Sequence, residues 1–76
     1  MSDIGWAKKA LDDGARVARA GWNGKGMWLA KQLPDERSKM TQPYTFMRTV
    51  QGDFIPWLCS QADFYADDWE LAKIDP

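Results

Sequence analysis

A chain of 76 residues with a formal charge of −1 is expected to form a single domain over 1–76, and its balanced charge argues against wrapping long nucleic acid. One cysteine and no histidine exclude an internal disulfide and a zinc-ligand set, and no cofactor is expected. The remedy left for so thin a core is self-association, so a homo-oligomer is the default.

The opening "MSDIGWAKKA" holds no apolar run long enough for a signal peptide, and no segment approaches membrane-spanning length. With a lone thiol, this points to a reducing cytoplasm and no membrane partner. Residues 3–13, "DIGWAKKALDD", carry Ile4, Ala7 and Leu11 at i, i+3 and i+7 with Trp6 and Ala10 beside them, the pattern of an amphipathic helix. Ser2 is the expected N-cap and Gly14 the left-handed residue that ends the helix. "ARVAR" (15–19) is a short extended run. "MWLAKQL" (27–33) alternates, with Met27, Leu29 and Leu33 against Trp28, Ala30 and Gln32. The loop 34–42, "PDERSKMTQ", is expected to be the most mobile. "PYTFMRTV" (43–50) alternates again, Tyr44, Phe46 and Val50 opposite Thr45, Met47 and Thr49. "QGD" (51–53) marks a turn and "FIPWL" (54–58) a brief strand, which Pro56 confines to a sheet edge or ends. Ser60 with Asp63 three residues on is a capping-box-like start for one or two helical turns over 60–66. "DWELAKI" (68–74) closes with a strand. This order specifies an α+β fold: a small antiparallel sheet with an N-terminal helix and a short helix in the C-terminal half packed against it.

Five tryptophans, at 6, 22, 28, 57 and 69, are more than so small a core absorbs. Roughly two or three fill it, and the others need another use. In "RAGWNGKGMW" (19–28), Asn23-Gly24 is a turn signal and Gly26 a second permissive position. A tight hairpin between "RVAR" and "MWLA" accounts for the glycines. It does not account for Trp22 beside the turn, with Arg19 and Lys25 bracketing its ring. A flat ring among cations and exposed backbone N–H groups suits a ligand with a nucleobase and phosphates. Stacking contributes about 1–3 kcal/mol, and the phosphates take charge-assisted hydrogen bonds. On spacing alone, hairpin and ligand loop stand level. A second group, "IPWLCSQADF" (55–64), sets Trp57, Ser60, Gln61 and Asp63 around a helix N-terminus, a ready anion site whose side chains suit ribose hydroxyls and base edges. An N-capped helix with Trp57 in the core explains the same residues without a ligand.

Catalysis has little to work with. Nucleophile–base arrangements normally use a histidine, Cys59 is more often a small buried hydrophobe, and Ser60 is engaged as a cap. Asp63 and Asp67 at i, i+4 could serve a hydrolase or a magnesium site, but a solvated acidic face is the commoner meaning of such a run. The expected protein is not an enzyme and holds no metal.

Together, "VARAGWNGKGMW", "PWLCSQADFYADDWE" and an opening helix ending in "LDDGARVAR" resemble the phage-encoded Thoeris anti-defence sponges of the second described type. The match runs from about Ile4 to Leu71 with the motifs in order, and residues 33–42 carry no part of it. The resemblance implies a cytoplasmic, non-enzymatic binder that sequesters the glycocyclic ADP-ribose signals made by bacterial TIR-domain proteins, so that the defence effector stays off. It implies a homotetramer with pockets shared between protomers, cyclic dinucleotides as further ligands of some members, and a small antiparallel sheet with helices. Trp22 and Asn23 of "GWNG" would be pocket residues, joined by Trp57, Ser60, Gln61 and Asp63 of "PWLCSQAD". Cys59 stands where the family commonly has alanine, a small change.

A sponge must out-compete a receptor, which takes nanomolar binding or better, about 12 kcal/mol. One stacked base and two phosphate contacts in an open groove fall short of that after association costs. A pocket walled by two protomers does better. In the expected arrangement, Trp22 and Trp57 stack on adenine, and Asn23, Ser60, Gln61 and Asp63 bind hydroxyls and base edges. Arg19, Lys25 or Arg48 meets the pyrophosphate. Two other classes stay open: an aromatic-rich protein-interaction module, and a small hydrolase built on Asp63 or Asp67.

Overall fold

The computed structural model describes residues 2–22 and 26–72. It has the α+β architecture expected, in the order α1 (Ile4–Asp12), β1 (Val17–Arg19), β2 (Trp28–Gln32), β3 (Tyr44–Arg48), β4 (Phe54–Pro56), α2 (Gln61–Phe64) and β5 (Trp69–Leu71). Helix α1 is capped by Asp3 and not by Ser2: the Asp3 carboxylate accepts the Trp6 N–H at 2.9 Å. Ser2 is drawn to the sheet instead, its carbonyl accepting the Trp69 N–H at 3.1 Å. The helix ends as its sequence predicts. Gly14 turns left-handed at φ +90°, its N–H donates to the Leu11 carbonyl, and the Ala15 N–H donates to that of Ala10. These two bonds make a Schellman motif. Asp12 is unfavourable at the negative end of the helix, but hydrogen bonds from Lys31 and Lys8 pull its carboxyl down to about 2.

The five strands form one antiparallel sheet in the order β4-β3-β2-β1-β5. Register pairs Val17 with Leu29, Leu29 with Met47 and Met47 with Ile55, so strand alternation sets all four on one face. The apolar stripe of α1 packs there. Ala7 and Leu11 join Val17, Leu29 and Trp69 in the core, and Trp6, Ala10 and Trp57 close its margins. The opposite face gathers Trp28, Phe46 and Phe54, with ring centroids 5.4 to 5.9 Å apart. The Arg16 guanidinium lies 4.5 Å over the Trp28 ring. Phe54 remains 65% exposed on this face. Strand β4 lies at the sheet edge, as Pro56 requires.

Over the described residues, β1 and β2 pair only briefly, and the turn expected at Asn23-Gly24 lies outside them. Those strands share the single pair Val17–Leu29, whereas β1 runs with β5 over three pairs, Val17–Leu71, Ala18–Glu70 and Arg19–Trp69. The Ala20 N–H then donates to the Asp68 carbonyl at 3.0 Å, carrying the contact with the β5 side one residue past β1. Among the described residues, no helix is long and apolar enough to cross a membrane.

Candidate functional site

Three indoles meet where β1, β5 and α2 converge. Trp69 is central, with the Trp22 ring edge-on at 5.5 Å and the Trp57 ring edge-on at 6.1 Å. Trp69 is 3% exposed, and its Nε1–H donates to the Asp63 carbonyl at 3.1 Å. Trp22 and Trp57 are half-buried, so indole surface stays open on both flanks of the row. Edge-on packing orients such rings and holds them stiff.

A polar network fixes the row from one side. The Asp63 Oδ1 accepts Arg19 Nη1 at 2.8 Å and Trp22 Nε1 at 3.3 Å. Asp63 is set by α2, where its N–H donates to Ser60 Oγ at 3.1 Å. Arg19 also donates from Nε to Asp68 Oδ1 at 2.7 Å, and Asp68 Oδ2 accepts the Gly21 N–H at 2.8 Å. The Arg19 bond, and after it the Gly21 N–H, holds Asp68 below the usual carboxylate value despite partial desolvation. Asp68, and after it Asp63, pushes the guanidinium further up in turn.

The sequence-predicted residues are thus partly brought together. Arg19, Trp22, Ser60 and Asp63 form one connected network, with Trp57 joined through Trp69. Gln61 opens α2 and is exposed. Asn23 and Lys25 lie outside the described residues. Arg19 was set against a phosphate in the sequence; its guanidinium is committed to two carboxylates. Arg48 likewise turns to backbone, its Nη1 donating to the Gly26 carbonyl at 2.8 Å. Helix α2 spans four residues, with Ser60 already holding the Asp63 N–H and the Asp63 carboxylate in its first turn. One turn accumulates little dipole, so the expected anion site at its N-terminus is not built.

Two members were missed. The sequence reading gives neither Trp69 nor Asp68 a place in the site. Their signal is the pairing of β5 with β1, which sets Asp68 and Trp69 beside Arg19. Beside the indoles opens a cleft of about 320 Å³ between α1, the sheet and α2, lined by Ile4, Leu11, Trp57, Cys59, Phe64 and Trp69 among others. That lies at the lower end of small-molecule pockets. Partial desolvation and the nearby Asp63 push the Cys59 thiol up, away from the thiolate a nucleophile needs. Among the described residues, no cluster of cysteine and carboxylate side chains is placed to hold a metal.

A domain model described as Tad2-like, the Thoeris anti-defense 2-like domain, matches residues 2–72. The chain is also similar to the Thoeris anti-defense 2 protein of Bacillus phage SP01, 30% identical over an alignment of 83 positions that covers 92% of this chain and 93% of that protein.

Proposed function

Because the chain belongs to the Thoeris anti-defense 2-like family, we propose that it serves a phage by capturing the cyclic nucleotide signal of Thoeris immunity and withholding it unaltered. Family membership supports the anti-Thoeris role. The observation that carries capture is the Trp22–Trp69–Trp57 row, edge-on rings with two open flanks beside a cleft and a group of polar atoms. The ligand is glycocyclic ADP-ribose made by TIR-domain proteins, with cyclic dinucleotides as a second class. Trp22 and Trp57 stack on adenine, Asn23, Ser60, Gln61 and Asp63 bind hydroxyls and base edges, and Lys25 meets the pyrophosphate. Arg19, already neutralised, supports the site from behind.

The same geometry favours binding over hydrolysis. The Asp63 Oδ1 is held by Arg19 and Trp22, which orients the carboxylate and leaves Oδ2 for a ligand hydroxyl, and the raised Cys59 thiol is a poor nucleophile. A cleft of about 320 Å³ in one protomer does not enclose a ligand with two phosphates, so neighbouring protomers supply the remaining walls. The aromatic face of Trp28, Phe46 and Phe54, on which Phe54 stays exposed, supports that assembly, a homotetramer acting in the host cytoplasm.

The test is capture and release. Purified protein is mixed with glycocyclic ADP-ribose, freed of unbound ligand and heated. Intact ligand released in stoichiometric amount is the expected result. A chemically altered ligand would show an enzyme, and protein left empty with its indole fluorescence unmoved would favour a protein-interaction module.

A further inference from the structure

The cleft beside the indoles does not end at α1. Its wall shares Lys8, Leu11 and Thr45 with a second hollow of about 270 Å³, which runs on past Asp12, Lys31 and Tyr44. Both lie on the face of the sheet that carries α1, for Lys31 and Thr45 are register partners two residues along from Leu29 and Met47. They form one trough, apolar at Trp57, Phe64 and Trp69 and polar at Lys8 and Lys31. Joined to the cleft of about 320 Å³, the second hollow brings the trough well into the size range of small-molecule sites.

The two ends of the trough differ in charge. At the indole end, the carboxylates of Asp63 and Asp68 face one guanidinium, that of Arg19. The surplus there is negative, which suits hydroxyl and amine donors and repels a phosphate. At the far end, the ammonium groups of Lys8 and Lys31 share one carboxylate, Asp12, at 2.7 and 2.9 Å. Asp12 titrates at about 2 and stays ionised at neutral pH, so the surplus is one positive charge. One lysine is enough to neutralise Asp12. Each ammonium has three N–H groups and gives one to Asp12, which leaves two on each for another acceptor.

We propose that Lys8 and Lys31 bind the phosphates of the captured nucleotide, which lies along the trough with its base against Trp57 and its phosphates at α1. The proposal rests on the capture reading, where Lys25 is the other cation named for the pyrophosphate. The trough is the floor of the site, and enclosure still comes from a neighbouring protomer.

The full chain is compared with Lys8→Gln, Lys31→Gln and Asp12→Asn, with thermal melts as the check on folding. The Lys8 side chain is 76% exposed, so its variant carries the test if Lys31→Gln unfolds. Affinity for glycocyclic ADP-ribose should fall about tenfold in each lysine variant, with a shallower dependence on salt than in the native chain. Adenosine, which has the base and ribose but no phosphate, should bind every variant as it binds the native chain. Asp12→Asn frees both ammonium groups and should bind glycocyclic ADP-ribose at least as tightly as the native chain. Undiminished affinity in either folded lysine variant would overturn the proposal. So would an equal loss toward adenosine, the mark of a purely structural role, or an Asp12→Asn variant that binds as weakly as the lysine variants. If the native chain binds no glycocyclic ADP-ribose, the capture reading falls, and adenosine monophosphate decides the trough by itself. Amide shifts at Lys8, Lys31 and Thr45 that adenosine does not produce would then support it, and their absence would overturn it.

Discussion

Asp63 shares one carboxylate oxygen between a guanidinium and an indole, and that sharing couples the charge network to the ring that is expected to meet the ligand. Trp22→Ala should therefore abolish retention of glycocyclic ADP-ribose in a spin-column assay while leaving assembly intact; a variant that still depletes the ligand would reject Trp22 as the anchor. Asp67→Ala, at an exposed position, should change retention little. Asp68 adds a pH dependence of definite sign. Its folded pKa lies below the ordinary 3.8, so on acidification the unfolded chain takes up the proton first. The stability contributed by the Arg19–Asp68 pair is complete above about pH 5 and is lost as pH falls through 3.8 toward the folded value. Thermal melts from about pH 7 to about pH 3 should show a midpoint that drops at the acid end, and Asp68→Asn should lessen that drop. Little of this was legible in the sequence. The rings and polar residues stood out by type, but which cation meets which carboxylate depends on contacts across more than forty positions, such as Arg19 with Asp63 and Asp68.

Periodicity is a local property, and the elements it governs were legible. The stripe Ile4, Ala7 and Leu11, the closing Gly14, and the alternation along β2 and β3 appear as read, while the register that sets Leu29 against Met47 comes from the fold. The pairing of β1 with β5 was not legible, because Asp68, which binds Ala20 and Gly21, comes from the far end of the chain. The N-cap was misassigned by one residue for a related reason: Ser2 is taken by Trp69, and Asp3 caps in its place. Leu29 lies between α1 and the sheet centre with no exposed surface, so Leu29→Ala should cost about 2–5 kcal/mol in urea unfolding. Ser60→Ala removes the cap of a single turn and should cost about 1 kcal/mol. Its effect on capture should be larger than that figure suggests, since the same turn aims Asp63.

On the scale of the whole molecule, the sheet is covered on one side by α1 and presents an aromatic cluster on the other. If that cluster joins protomers, Phe54→Asp should shift native mass spectra from tetramer to smaller species and weaken capture along with assembly. A protein that stays tetrameric would move the interface elsewhere. The borders of the sheet narrow the ways in which copies can meet. On one flank, Pro56 has no amide hydrogen to offer an incoming strand. On the other, the Trp69 N–H is already occupied by the carbonyl of Ser2. Lateral growth into a continuous ribbon is thereby discouraged at both rims, which leaves the faces of the sheet as the route by which copies could pack. The same two rims guard a concentrated solution of the chain against fibrous precipitation.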